Sequence, residues 1–162
     1  MNSLDKIHSE LIEDKILRVR YGDQILFDYT YRPSTNKQYC PRPYFHPIHT
    51  LSGDVLTNTR PADHPWHQGL SLTMSSVNGM NFWGGHTYSK ETGEYANIDN
   101  VGSQRHRDWI ESKALENGYA WIEALDWIGP NEEQVFTETR TLTVRDIDAE
   151  IDELDDSQRS TN

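Results

Sequence analysis

The sequence predicts an all-β protein, an antiparallel β-sandwich, on three observations. Residues 24–31 alternate, placing Ile25, Phe27, Tyr29 and Tyr31 on one face. Residues 134–145 alternate as well. Phe136, Glu138, Arg140, Leu142 and Val144 share one face there, and Val135, Thr137, Thr139, Thr141 and Thr143 share the other. β-branched threonines suit a strand better than a helix. The dipeptides Asn78-Gly79 and Asn117-Gly118 lie between extended runs, as tight hairpins require.

Along the chain, residues 3–14 read as a frayed helical turn or two, because Ile7, Leu11 and Ile12 fall near helical spacing. Residues 16–20 and 24–31 flank Tyr21-Gly22-Asp23 and predict a hairpin. Six of the seven prolines lie between positions 33 and 65, which marks a loop-rich region where sites tend to be assembled. A strand is expected over 69–75, then the Asn78-Gly79 turn and a short run at 80–83. Residues 108–115 and 119–127 form the clearest hairpin, and 134–145 follows the Gly129-Pro130-Asn131 turn. Glu138 and Arg140, two apart on one face, read as a surface ion pair. Residues 146–156 carry seven acidic side chains, with Ile147, Ile151 and Leu154 at helical spacing, and are expected to be partly helical or disordered. The organisation is an N-terminal segment (1–15), one β domain (16–145) and an acidic tail (146–162).

Charge and composition exclude several function classes. With 26 acidic against 15 basic residues the formal net charge is -11, and no basic cluster exists beyond Arg18, Arg20, Arg105 and Arg107. Nucleic acid and anionic membrane surfaces are therefore not expected partners. No run approaches the roughly 20 apolar residues of a membrane span. Residues 1–14 lack a signal-peptide core, so the expected compartment is the cytoplasm. A single cysteine, Cys40, excludes an internal disulfide and a multi-thiolate metal site.

The chemistry concentrates in histidines. Two copies of one pattern occur, His46-Pro47-Ile48-His49 and His64-Pro65-Trp66-His67. Proline at the second position presets a β-turn whose ends approach within about 7 Å, so both imidazoles of a copy can address one point. Asp63 precedes the second copy. It is either the carboxylate of a two-His-one-carboxylate centre for one divalent transition metal, with His64 and His67, or the group that orients a histidine as general base. The same residues also read as a side-chain-capped turn without further role. Arg105-His106-Arg107 is a candidate grip for a carboxylate or phosphate, or a solvated turn. Trp66, Trp83 and Tyr44, with Phe82 and Tyr88, are candidates for a platform on which sugar rings stack, or for core.

These residues resemble a known family. Arg42-Pro43-Tyr44-Phe45-His46-Pro47, Leu56-Thr57, residues 61–70 (Pro61-Ala62-Asp63-His64-Pro65-Trp66-His67-Gln68-Gly69-Leu70), residues 77–85 (Val77-Asn78-Gly79-Met80-Asn81-Phe82-Trp83-Gly84-Gly85) and residues 100–106 are similar to the bacterial family catalogued as "methane oxygenase PmoA". The likeness runs from about residue 16 to 145. It implies a soluble bacterial β-sandwich associated with carbohydrate catabolism and, by name, an oxygenase. It maps His46, Asp63, His64, His67, Arg105 and His106 onto the motif as catalytic candidates, whereas His49 departs from the pattern. Sugar mutarotase-like supersandwiches offer a fold-level analogy. Members of that family continue with further strands after residue 145, so the resemblance implies an incomplete sandwich and a homo-oligomer joined through exposed sheet edges. The expected function is that of an enzyme acting on a sugar or other small polar molecule through a His/Asp site. A metal-dependent oxygenase, a non-catalytic glycan-binding module and an inactive fragment are the alternatives.

Overall fold

The computed structural model describes residues 6–147. The first sheet is β1 (Ile7–Ile12), β2 (Ile16–Tyr21), β3 (Gln24–Thr30) and β4 (Tyr44–Ile48), antiparallel in that order. Two short ribbons follow: β5 (Met74–Val77) with β6 (Met80–Phe82), and β7 (Thr87–Ser89) with β8 (Glu94–Ala96). The second sheet has three long strands, β9 (Ser103–Leu115), β10 (Gly118–Ile128) and β11 (Gln134–Arg145), in the order β11-β10-β9. The protein is an all-β sandwich of antiparallel sheets, as the alternation predicts.

The core forms where the two sheets face each other. Leu17, Val19, Tyr29 and Tyr31 from the first sheet pack with Trp121 and Leu142 from the second, and Ile7 completes the cluster. The alternating residues of β3 and β11 thus supply opposite walls of one interior, which is the arrangement that buries both apolar faces at once. A second cluster of Cys40, Phe82, Val101 and Trp127 fixes the proline-rich segment against the end of β10. Phe82 meets Trp127 at 4.9 Å between ring centroids.

Three expectations change. Residues 7–12 are a strand, pairing with β2 from Ile7↔Tyr21 to Ile12↔Ile16, and not a helical turn. A helix this short has a costly nucleus and few apolar residues to bury, whereas a strand gains a full backbone ladder beside β2 and seats Ile7 in the core. The strand expected over 69–75 starts only at Met74. Residues before it are held by an isolated bridge, Phe45↔Leu70, and by a hydrogen bond from Gln104 to the Leu72 carbonyl. Glu138 and Arg140 are not a surface pair. Arg140 is enclosed between the sheets, bonded to Glu138, to the Tyr29 hydroxyl at 3.1 Å and to Gln104 at 3.0 Å. Alternation reveals that two residues share a face but not which face meets the other sheet. All of the expected acidic-tail structure beyond residue 147 lies outside the described residues.

Cys40 is fully enclosed, and burial pushes its thiol up to about 11. It is expected to react with a chromogenic disulfide at pH 8 only after denaturant is added; prompt stoichiometric reaction of the native protein would contradict the packing. The sign of the linked stability follows. The folded state favours the neutral thiol, so this contribution is complete below the ordinary value of 9.0 and is lost as pH rises through about 11. The loss amounts to about 2–3 kcal/mol, and a Cys40→Ala variant should lack it.

Candidate functional site

The second histidine copy forms the turn its proline predicts. The His67 N–H donates to the His64 carbonyl at 3.0 Å, closing a four-residue turn across Pro65. The two imidazoles consequently stack, with centroids 5.0 Å apart and planes 24° from parallel. Asp63 accepts a hydrogen bond from His64 Nδ1 at 2.9 Å, and that bond holds the carboxyl below its ordinary range. Trp66 meets His64 edge-on at 5.2 Å, and Trp83 meets His67 at 5.7 Å.

These rings line an open cleft of about 800 Å³. The β7–β8 ribbon adds to the lining, with Tyr88 and Tyr95 packed at 5.3 Å and Lys90 in the turn. His86 adds a third imidazole, 6.0 Å from the Trp66 ring. Ser75 and Ser76 supply hydroxyl groups, whereas Asn81 and Thr87 are bonded to each other at 3.0 Å beneath the lining. Trp83 is 40% exposed and Tyr95 72%, so flat aromatic surface faces the solvent side of the cleft.

Buried polar groups set the position of both indoles. Arg42 is 2% exposed and, among the described residues, has no carboxylate partner. Its guanidinium donates to the carbonyls of Tyr39, Cys40, Trp66 and Trp83 and to the Ser71 hydroxyl, at 2.9–3.2 Å. Burial lowers its pKa, and the cost of the enclosed charge is offset by this fan of carbonyl dipoles. Asn81 adds a second clamp: its Oδ1 accepts from the Trp83 and Gly84 N–H groups at 2.8 and 3.0 Å. Gly85, with φ +69, lies under Trp66. A Cβ there would fall 2.5 Å from the indole, so only glycine lets the ring seat.

Of the residues expected from sequence to form the site, His64, His67, Trp66, Trp83 and Tyr88 line the cleft, with Asp63 behind His64. The others do not join them. His46 stands on β4 because the first copy lies on a strand and not in a turn; its Nδ1 bonds Thr57 Oγ1 at 2.9 Å, and burial pushes its pKa down. Tyr44 and Phe82 are enclosed in the core and present no ring to a ligand. Arg105 and His106 are neighbours on β9 and therefore point to opposite faces. Arg105 lies outside, paired with Glu132 at 2.7 Å. The ring of His106 is buried between the sheets against Tyr31, with Nδ1 2.8 Å from Glu123.

The expected metal trio does not form either. Asp63 occupies His64 Nδ1 itself, and the near-parallel rings of His64 and His67 do not converge on a common point. Among the described residues no group of three His, Cys, Asp or Glu side chains is placed to hold a metal ion.

The sequence reading missed Arg42, His86, Lys90 and Tyr95. For Arg42 the available signal was an arginine between two prolines, Pro41 and Pro43, in an aromatic segment. His86 follows Trp83-Gly84-Gly85 directly. Lys90 and Tyr95 carried no signal, since only the β7–β8 ribbon brings them to the cleft.

A family model described as "Family of unknown function (DUF6807)" matches residues 17–157. No curated protein and no solved structure matches the chain.

Proposed function

The chain belongs to the family of unknown function DUF6807, and from its cleft we propose that it is a carbohydrate-processing enzyme acting on a small polar sugar. One observation carries the reading: a single open cleft in which three imidazoles and two indoles, His64, His67, His86, Trp66 and Trp83, converge. Flat aromatic faces suit the apolar side of a sugar ring, while serine hydroxyl and imidazole groups suit its equatorial hydroxyls. Asp63 favours the His64 tautomer protonated on Nδ1, which leaves Nε2 as the basic nitrogen. His64 then takes a proton from a substrate hydroxyl or ring carbon, and Asp63 stabilises the resulting imidazolium. His67, stacked on it, is the partner that returns a proton. Such acid/base assistance contributes about 10²–10⁴-fold in rate. The blocks 61–70 and 77–85 that carry the resemblance described above supply much of this wall, which supports reading them as a site.

The test pairs binding with turnover. Saturation-transfer NMR against a panel of mono- and oligosaccharides should find a ligand, and the same spectra should report its conversion. Trp83→Ala is expected to weaken binding about tenfold or more, whereas His64→Ala should retain binding and lose turnover. Indifference of both properties to both variants would defeat the proposal. The exposed Tyr88 and Tyr95 favour a second reading, a glycan-binding module without catalysis. It would be chosen by binding that depends on Trp83, is untouched by His64→Ala and is accompanied by no turnover.

A further inference from the structure

We infer that the ligand of this cleft is an anionic sugar, whose ring lies on the aromatic wall while its carboxylate or phosphate pairs with Lys90. The inference rests on the carbohydrate reading and names the substrate class of the same site. The chain is strongly acidic, with 26 Asp and Glu among 162 residues, yet among the described residues none that lines the cleft is a carboxylate. Lys90 is the lining residue that carries a fixed charge, and three imidazoles add hydrogen-bonding nitrogens. On an acidic protein this absence of carboxylates leaves an enclave where an anion meets attraction at close range.

Lys90 is also free to act. Arg18, Lys37, Arg105, Arg107 and Arg140 are each tied to an aspartate or glutamate. Among the described residues Lys90 has no such partner, although Glu91 follows it and Glu94 lies across the ribbon from Ser89. Lys90 sits in the turn of the β7–β8 hairpin, directly after the Tyr88 strand, and lines the same cleft as the stacked histidines. A carboxylate that does touch a lining residue, Asp63, is engaged by His64 Nδ1. The site therefore offers a ring-stacking surface and a cation in one cleft, the pattern that selects a sugar bearing one anionic group.

Isothermal titration of the purified chain with three probes of matched ring type tests this: a neutral hexose, its uronate and its 6-phosphate. The anionic probes should bind about five- to tenfold more tightly than the neutral one. In Lys90→Gln their affinity should fall to that of the neutral sugar, and in Lys90→Glu below it. A preference shared by uronate and phosphate supports the inference and assigns it to charge; a preference for one of them supports it and names the group. Equal binding of all three probes, or a preference that survives Lys90→Gln, overturns the inference while leaving the carbohydrate reading standing. Failure of every sugar to bind overturns both.

Discussion

Replacing Arg42 with alanine is expected to destabilise the protein by about 3–5 kcal/mol, the range for breaking a fully buried polar cluster by removing its charged member. The truncation removes the donors that serve four backbone carbonyls and Ser71. Gln68 Nε2 still reaches the Tyr39 and Cys40 carbonyls, so the main loss falls on those of Trp66 and Trp83, at about 1–3 kcal/mol for each carbonyl left buried and unpaired. Set against a typical domain stability of about 5–15 kcal/mol, that is a large fraction of the whole. The melting temperature should fall by roughly 10 °C or more for a chain of this size. Arg42→Lys should recover little, since a compact ammonium cannot span acceptors fanned around a planar fork. Urea unfolding followed by tryptophan fluorescence measures the loss. Because Arg42 bonds the carbonyls of both Trp66 and Trp83, the cleft should loosen before the sandwich does, and sugar binding should fail at urea concentrations that leave far-UV dichroism intact. A cost within 1 kcal/mol of wild type would show that the guanidinium is a bystander.

Glu123→Ala should be of similar severity, about 3–5 kcal/mol, through a different part of the molecule. Glu123 has 0% exposure and stands on β10 between the sheets. One oxygen accepts from the Tyr29 hydroxyl at 2.6 Å and the other from His106 Nδ1 at 2.8 Å. Arg140 donates to the same Tyr29 hydroxyl and joins Glu138, which accepts from the Trp127 indole at 2.7 Å. The chain of bonds ties β3 to all three strands of the second sheet. Alanine leaves the Tyr29 and His106 donors without an acceptor and opens a cavity in addition. Glu123→Gln keeps the volume and one acceptor and should cost much less, about 1–2 kcal/mol. A double-mutant cycle with Tyr29→Phe isolates the charged bond, expected at about 1–3 kcal/mol of coupling; additivity would show that the two residues do not depend on each other. Burial, followed by the Glu123 charge, raises the Tyr29 pKa. Tyr29 therefore contributes stability below the ordinary value of 10.0 that is lost as pH rises above it, and Tyr29→Phe should flatten that alkaline decline.

Several features are written locally and were legible. The β2–β3 and β9–β10 hairpins follow from short-range turn chemistry and period-two patterning. So does the β-turn of His64 to His67, because proline sets the backbone angle whatever surrounds it. The first histidine copy has the same local instruction and a different outcome: β3 pairs with β4 and draws His46 into a strand. Arg105 and His106 looked like one grip and were divided by strand alternation, one to Glu132 and one to Glu123.

What the sequence determined by itself, then, is the all-β class, the main hairpins, the loop character of the proline-rich segment and the Asp63-His64-Pro65-Trp66-His67 turn, all set by interactions within a few residues. Only the tertiary structure decided that Arg42 is the buried support of both indoles and that Glu138 and Arg140 face inward. It also decided that Lys90 and Tyr95 share a cleft with histidines more than twenty residues away. Those outcomes depend on which faces meet and on where a buried donor finds its acceptors. Both are properties of packing between distant segments, for which the chain carries no local mark.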